Sequence, residues 1–271
     1  MASQDFSFKS FAEQPFYQGV NQRLVDSLPM RSGQRIVDLA CGTGLLTRLI
    51  LERLQGAKDT LVIGIDQSGG ALSQAMRDLK SAPGVMVQFV QTQVEHLSST
   101  VQGSVDAVFL GNGIHLIPDK KQLVAEVFAI LRPGGTFAFN STFFEGGVPP
   151  ESEQYYRRWM SKALRTLKST YGLMPQRNKV EARRQLSPQE YRDILEQQGF
   201  SVTKEELVPV EFTLEGHLGI AKYEDFVTGA LPGVPLEMAS QVLQEAARQS
   251  YEELKLTFVP RNWLQVVAVR P

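Results

Sequence analysis

Two acidic residues flank a glycine turn early in the sequence, and together they could bind a small charged ligand. Asp38 lies four residues before Gly42, which forms a Gly-x-Gly turn with Gly44, and Asp66 follows 22 residues after Gly44. Glycines let a backbone approach a ligand closely, and a helix that begins at such a turn directs unpaired N–H groups towards it. The stretch therefore indicates a small-molecule site, with a plain tight connection as the alternative.

The residues around this turn distinguish two classes of nucleotide. A nicotinamide-binding fingerprint needs a third glycine, in the pattern Gly-x-Gly-x-x-Gly, and Thr47 takes that position here. Asp38 would repel a pyrophosphate but attract a cation. Asp66 ends the second apolar run, where an acid can accept hydrogen bonds from ribose hydroxyls; its alternative role is to cap the next helix. The pattern favours a nucleoside that carries a positive charge.

Apolar runs alternate with helical patterns around these residues. Strands are predicted over 35–39, 60–66, 85–90, 105–110 and 136–140, from residue 200, and over 263–269. A helix over about 11–28 is expected before the first strand, residues 132–135 are expected to stop a helix, and Ser187 with Glu190 predicts a capping box. The alternation predicts a parallel sheet covered on both faces.

Two segments break this rhythm and predict helical insertions. The first covers residues 143–186, and its part over 151–185 holds nine Lys/Arg against three Glu, a local charge of +6. Arg158, Lys162 and Arg165 would share one helix face, either as solvated surface or as an anion site. The second insertion covers about 215–258. We therefore expect three parts: 1–142, with an N-terminal helix and the cofactor-binding core; 143–186, a helical lid; and 187–271, the rest of the core.

Composition narrows the class of protein. The 271 residues are 42% hydrophobic and 21% charged, and 28 Lys/Arg against 29 Asp/Glu leave a net charge of -1. This balance argues against a nucleic-acid partner. The start does not look like a signal peptide, and no apolar run is long enough to span a membrane. A single cysteine, Cys41, excludes an internal disulfide. We expect a cytoplasmic protein without stable membrane insertion, and the sequence leaves the oligomeric state open.

Several motifs together resemble the class I S-adenosylmethionine-dependent methyltransferases, in the small-molecule branch of ubiquinone/menaquinone-type and sterol-type enzymes. The motifs are residues 37–44 (VDLACGTG), 64–66 (GID), 94–97 (VEHL), 105–109 (VDAVF), 115–119 (HLIPD) and 131–135 (LRPGG). They span about residues 30–145, and the helix and strand at about 187–207 extend the resemblance. It implies a Rossmann-like, doubly wound α/β fold with a seven-stranded, mostly parallel sheet, and with the helical insertions as a cover.

The resemblance also implies the roles of individual residues towards S-adenosylmethionine. The amino-acid half would be held by Asp38, Gly42, Gly44 and the backbone of Ala40, and the ribose by Asp66. Gln67 and Val94 would meet the adenine. Gln93 stands where many relatives have an acid that bonds the adenine amino group, and its side-chain oxygen can accept the same bond. Leu110 and Gly111 would line the methionine portion, and Cys41 would be a small packing residue.

The methyl acceptor is expected under the two insertions. Tyr156, Trp159, Met160 and Phe226 make this cover aromatic and apolar, which favours a hydrophobic or aromatic acceptor and leaves room for an anionic group on it. Tyr17 would cap the site or only pack. His115, just past the fourth strand, is the candidate general base, with a purely structural role as its alternative. His96 and His217 have no supporting pattern, and no motif suggests a metal.

Methyl transfer by direct in-line displacement mainly requires that the acceptor be aimed and water excluded. Two rivals remain open at this stage. One is a protein that binds S-adenosylmethionine or S-adenosylhomocysteine without catalysis, and the other is an NAD(P)-dependent oxidoreductase.

Overall fold

The computed structural model describes residues 6–79, 83–176 and 185–271. The chain divides into two compact units. We call Gly19–Gly147, Glu181–Val208 and Trp263–Pro271 the sheet unit, and Met1–Gln18, Val148–Val180 and Pro209–Asn262 the helical unit. The expected division into 1–142, 143–186 and 187–271 stays a prediction.

Seven strands form one sheet, and the seven-stranded α/β fold expected from the sequence is confirmed. The strands are β1 (Arg35–Leu39), β2 (Thr60–Asp66), β3 (Val85–Gln91), β4 (Val105–Gly111), β5 (Leu131–Ser141), β6 (Ser201–Thr213) and β7 (Phe258–Val269), in the order β3-β2-β1-β4-β5-β7-β6. Strands β1 to β5 pair in parallel, and β7 runs antiparallel to β5. The carboxyl ends of β1, β2 and β4 therefore meet at one edge, where ligands bind in such sheets.

The start of β5 differs from the prediction. Val105 of β4 pairs with Leu131, but the next pair is Ala107 with Thr136. Residues 132–135 therefore lie between two paired positions of one strand, and β5 begins at Leu131 instead of 136. The Pro-Gly-Gly sequence suits this irregularity because proline cannot donate a backbone hydrogen bond and glycine tolerates positive φ.

Alternate residues of β1 point into two separate apolar clusters. Ile36 packs in a cluster with Leu24, Leu49 and Phe109, whereas Val37 belongs to a second cluster with residues such as Leu110 and Phe139. Successive side chains of a strand point to opposite faces of its sheet. Both faces of the sheet are therefore covered, as the near-continuous apolar runs predicted.

The helices are α1 (Lys9–Ala12), α2 (Pro15–Asp26), α3 (Leu45–Arg53), α4 (Gly69–Asp78), α5 (Leu97–Thr100), α6 (Lys120–Ile130), α7 (Glu153–Thr166), α8 (Pro188–Gln198), α9 (Leu214–Ile220), α10 (Glu224–Ala230) and α11 (Leu236–Leu254). The predicted capping box of α8 is present, because Ser187 and Glu190 each bond the other's backbone N–H. None of the helices in the described ranges is long and apolar enough to cross a membrane.

Candidate functional site

The turn after β1 holds its backbone in the left-handed region at three alternate residues. Ala40, Gly42 and Gly44 have φ values of 53°, 55° and 86°. Gly44 is the N-cap of α3, and a Cβ there would lie 2.5 Å from Leu79 Cδ1, so a larger residue would be both strained and crowded. A Cβ on Gly42 would meet no atom within 4 Å, which leaves the backbone open on that side. The turn is therefore tightly packed at Gly44 and open at Gly42.

Asp38 is buried beneath this turn, with only 1% of its surface exposed. The Thr47 hydroxyl donates a hydrogen bond to Asp38 Oδ2 over 2.5 Å, and Oδ1 is buried without a hydrogen-bond partner. The pKa of Asp38 is raised to about 7, chiefly by burial and in part by the nearby charge of Asp66, although the Thr47 bond opposes this. A cation beside Oδ1 would favour the ionised form. This unpaired oxygen fits the ammonium group of S-adenosylmethionine.

Asp66 ties the turn to the next strand and helix. Its Oδ2 accepts a hydrogen bond from the Gly42 N–H, and its Oδ1 accepts one from the Ser68 N–H, each over 2.8 Å. Ser68, and not Asp66, is the N-cap of α4, because its hydroxyl accepts a bond from the Ala71 N–H. Each carboxylate oxygen has a second lone pair, so Asp66 can hold the turn and still accept bonds from ribose hydroxyls.

The residues expected at the adenine follow β2 and β3. Gln67 is exposed, and its carbonyl accepts a bond from Gln91 Nε2 over 3.0 Å. Gln93 is exposed and precedes a short 3-10 helix that begins at the half-buried Val94. The sequence interpretation did not single out Gln91, although it ends β3 beside these residues. Their contacts with a nucleoside stay predictions.

A chain of buried amides joins α2 to the ends of β4 and β5. Asn140 Nδ2 donates to Asn21 Oδ1 over 3.1 Å, and Asn140 Oδ1 accepts from the Asn112 N–H over 2.8 Å. Asn112 has a positive φ of 48°, and its Oδ1 accepts from the Thr142 N–H over 3.1 Å. The sequence interpretation missed all three asparagines. Strain of this kind in a residue other than glycine persists where its surroundings enforce it, and it is concentrated at functional sites.

Leu110 and Gly111, expected to line the methionine portion, end β4 directly before this chain. The Leu110 side chain is fully buried in the core, so the residue would have to contact a ligand through its backbone. A Cβ on Gly111 would lie 3.0 Å from Asn21 Oδ1. Gly111 therefore allows the close approach of α2.

His115 is half-buried in the loop after β4. Its Nδ1 lies 3.3 Å from Ser141 Oγ, and its ring packs against Phe143 with 4.3 Å between the ring centroids. These contacts orient the imidazole at the carboxyl edge of the sheet. They are compatible with a general base and with a purely structural role, so the role of His115 stays a prediction.

The other residues expected at the acceptor lie in the helical unit. Trp159 stacks on Phe226 at 5.8 Å, and Tyr156 lies 6.2 Å from Trp159, both between ring centroids. Met160 is half-buried on the same helix, α7. Tyr17 is buried and packs against Phe8 and Phe11. The structure thus brings Tyr156, Trp159 and Phe226 together.

The basic face of α7 is partly neutralised. Arg158, Lys162 and Arg165 line one groove of about 580 Å³ together with Glu253. Glu253 forms ion pairs with both Arg158 and Lys162. The local positive charge is therefore smaller than the sequence count suggests.

The Cys41 thiol lies in the same turn as Gly42 and Gly44. Burial raises the pKa of the Cys41 thiol, and the charges of Asp38 and Asp66 raise it further, so the nucleophilic thiolate is disfavoured. Within the described parts of the chain, no group of three or more His, Cys, Asp or Glu side chains could hold a metal ion.

Comparisons with known proteins match the segment that contains this turn. Residues 36–135 match a family model described as a methyltransferase domain. A trans-aconitate 2-methyltransferase of Variovorax paradoxus is 32% identical over 117 residues, which cover 43% of this chain and 42% of that protein. A demethylmenaquinone methyltransferase of Symbiobacterium thermophilum is 30% identical over 117 residues, 43% of this chain and 46% of that protein. The matched segment thus spans less than half the length of either relative.

Solved structures share the fold over most of the chain. A phosphoethanolamine N-methyltransferase of Haemonchus contortus, in complex with S-adenosyl-L-methionine, has a TM-score of 0.55 and 17% identity, and the match covers 98% of this chain and 60% of that one. A [4+2]-cyclase has a TM-score of 0.56 and 16% identity, covering 94% and 81%. Residues 36–135 are therefore similar to methyltransferase domains, and the chain shares its fold with solved methyltransferase structures.

Proposed function

We propose that this protein transfers a methyl group from S-adenosylmethionine to a small hydrophobic or aromatic metabolite. The observation that carries the proposal is Asp38, a buried carboxylate with one unpaired oxygen beneath an open glycine turn. Such a group gains most from a ligand that brings a positive charge to it. A pyrophosphate would meet repulsion at the same place, which counts against the oxidoreductase alternative.

Each residue proposed to bind S-adenosylmethionine would have its own role. When bound, S-adenosylmethionine supplies a methyl group activated by its sulfonium. Asp38 would neutralise the charge of the amino group. Asp66 would accept hydrogen bonds from the ribose hydroxyls, and Gln93 would accept one from the adenine amino group. The buried amide chain fixes the end of β4, beside Leu110 and Gly111. Fixed groups of this kind lower the entropic cost of aligning two reactants.

The names of the relatives support a small acceptor. Trans-aconitate and demethylmenaquinone are small molecules, one a carboxylate and the other a quinone-derived compound. The aromatic contacts of Tyr156, Trp159 and Phe226 favour an apolar or aromatic acceptor. Arg157 and Arg165, beside the paired Arg158 and Lys162, leave net positive charge in the α7 groove, which suits an anionic substituent.

Calorimetric titration tests the cofactor, and labelled methyl transfer tests the reaction. S-adenosylhomocysteine is expected to bind, and NAD(P) is not. Binding of NAD(P) alone would overturn the proposal. Tight binding of S-adenosylhomocysteine, with no transfer of labelled methyl to any component of a metabolite extract, would favour a non-catalytic binding protein. The measurement of methyl transfer is necessary because the fold alone does not determine the reaction, and a [4+2]-cyclase has the same fold.

The role of His115 is tested by the variant His115→Ala. A general base would contribute a pH-dependent step, so the variant is expected to lose about 100-fold in kcat and the limb of the pH–rate profile that belongs to the imidazole. An unaltered profile would assign His115 to the structural role instead.

A further inference from the structure

A buried histidine, His217, lies at the centre of an aromatic cluster in the helical unit. His217 is 1% exposed. The centroid of its imidazole lies 4.6–5.8 Å from those of the five surrounding rings, which belong to Tyr155, Tyr156, Trp159, Phe212 and Tyr251. An imidazole buried among aromatic rings needs hydrogen-bond partners for both of its nitrogens. The arrangement therefore limits how the ring can be protonated.

The partners of Nδ1 fix the tautomer. Nδ1 lies 3.0 Å from the Thr213 carbonyl oxygen, which can only accept. It also lies 3.1 Å from Tyr251 Oη, whose proton goes to the Phe212 carbonyl over 2.6 Å. Nδ1 must therefore carry the proton. The pKa of His217 is lowered to about 3, chiefly by burial and in part by the charge of Arg261, so the ring stays neutral with a lone pair on Nε2.

That lone pair faces Tyr156. Tyr156 Oη lies 3.4 Å from Nε2, and because Nε2 has no proton, the phenol must be the donor of this hydrogen bond. The only proton of the phenol is then committed to His217, and Oη has only lone pairs left for any other partner. Tyr156 is half-buried, unlike the buried Tyr155 and Tyr251, and the Arg261 guanidinium lies 5.2 Å from the centroid of its ring.

We propose that Tyr156 contacts the methyl acceptor, that His217 positions it by holding its proton, and that the acceptor presents an O–H or N–H group. This rests on the proposed function. Tyr156 Oη would accept the hydrogen bond from that group. A carbon acceptor offers no such donor. His217 takes up no proton in this assignment and acts only through Tyr156.

Two conservative pairs of variants test the assignment with tritium-labelled S-adenosylmethionine and a metabolite extract. Tyr156→Phe is expected to lower kcat/KM about 10-fold or more. Tyr155→Phe is the matched control, because the Tyr155 hydroxyl is buried without a hydrogen-bond partner and its removal should leave transfer unchanged. Equal activity of the two variants would overturn the proposal, as would a product methylated on carbon.

The second pair separates positioning from packing. In His217→Gln the amide oxygen can replace Nε2 as the acceptor for Tyr156, whereas in His217→Asn the amide nitrogen can replace Nδ1 as the donor to Thr213. We expect the Gln variant to retain more activity than the Asn variant. The reverse order would mean that the link to Thr213 matters and would contradict the role of Tyr156. Near-UV circular dichroism checks that both variants are folded.

An acceptor-free measurement completes the test. In the wild-type protein, nitrogen-15 NMR of labelled histidine is expected to show His217 with a protonated Nδ1 and an unprotonated Nε2 at neutral pH. In Tyr156→Phe the Nε2 resonance should shift as its hydrogen bond is lost. A protonated Nε2, or no shift, overturns this proposal alone. Absence of any transfer by the wild-type protein contradicts the proposed function itself, so the two failures are distinguishable.

Discussion

Asp38 combines burial with an unpaired oxygen, so its charge depends on what lies beside it. Its pKa is raised from 3.8 to about 7, chiefly by burial. The folded protein therefore keeps a proton that the unfolded chain releases above about pH 4. Since the folded state binds more protons between about pH 4 and 7, this group lowers the stability of the ligand-free protein as pH rises through that window.

Asp38→Asn removes this dependence. The stability of the ligand-free variant relative to that of the wild type is expected to rise by about 2–4 kcal/mol as the pH increases from about 4 to 8, because of the raised pKa. Its affinity for S-adenosylhomocysteine should fall at the same time, because the neutral amide cannot balance an ammonium group. Urea unfolding at several pH values and calorimetry measure the two effects. A variant that loses stability at high pH and keeps its affinity would refute the role of Asp38.

Asp66 is predicted to contribute to binding directly. Asp66→Ala should weaken S-adenosylhomocysteine binding by about 1–3 kcal/mol, the scale of a lost hydrogen bond to a charged group. Ser68→Ala is the control, because it removes the cap of α4 without touching the carboxylate, at a cost of about 1 kcal/mol in stability. Unchanged affinity in a folded Asp66→Ala protein would exclude the ribose role.

Secondary structure was predictable from this sequence where its signals are local. The strands follow from short apolar runs, and α8 from Ser187 and Glu190, which lie three residues apart. The predicted start of β5 was wrong, because Pro-Gly-Gly usually ends the pairing of strands and here lies between two paired positions of one strand. Asn21 and Asn140 were missed because they are 119 residues apart, and His217 because its partners Tyr156 and Tyr251 are 61 and 34 residues away.

The amide chain links α2 to β4 and β5, and its loss should be costly. Asn140→Ala leaves Asn21 Oδ1 and the Asn112 N–H buried with one partner fewer each, so we expect a loss of about 2–5 kcal/mol in stability. Asn21→Ala removes only one of these bonds and should cost less. Urea unfolding of both variants tests this order. Equal costs would show that the bond to Asn112 contributes nothing.

Across the whole molecule, the two units differ in what the family model covers. The matched residues 36–135 lie entirely in the sheet unit, which holds Asp38 and Asp66. Tyr156, Trp159, Phe226 and His217 lie in the helical unit, outside that match. The proposed cofactor residues come from local motifs, whereas the contacts of the proposed acceptor residues join distant parts of the sequence.

Transfer of labelled methyl tests the central claim most directly. The full chain is incubated with tritium-labelled S-adenosylmethionine and a small-molecule extract, and Asp38→Asn serves as the matched control. The wild-type protein is expected to produce a labelled metabolite that is one methylene heavier than its precursor, and the variant much less of it. Binding of S-adenosylhomocysteine without any labelled product from the wild-type protein would contradict the claim that this chain is a methyl-transferring enzyme.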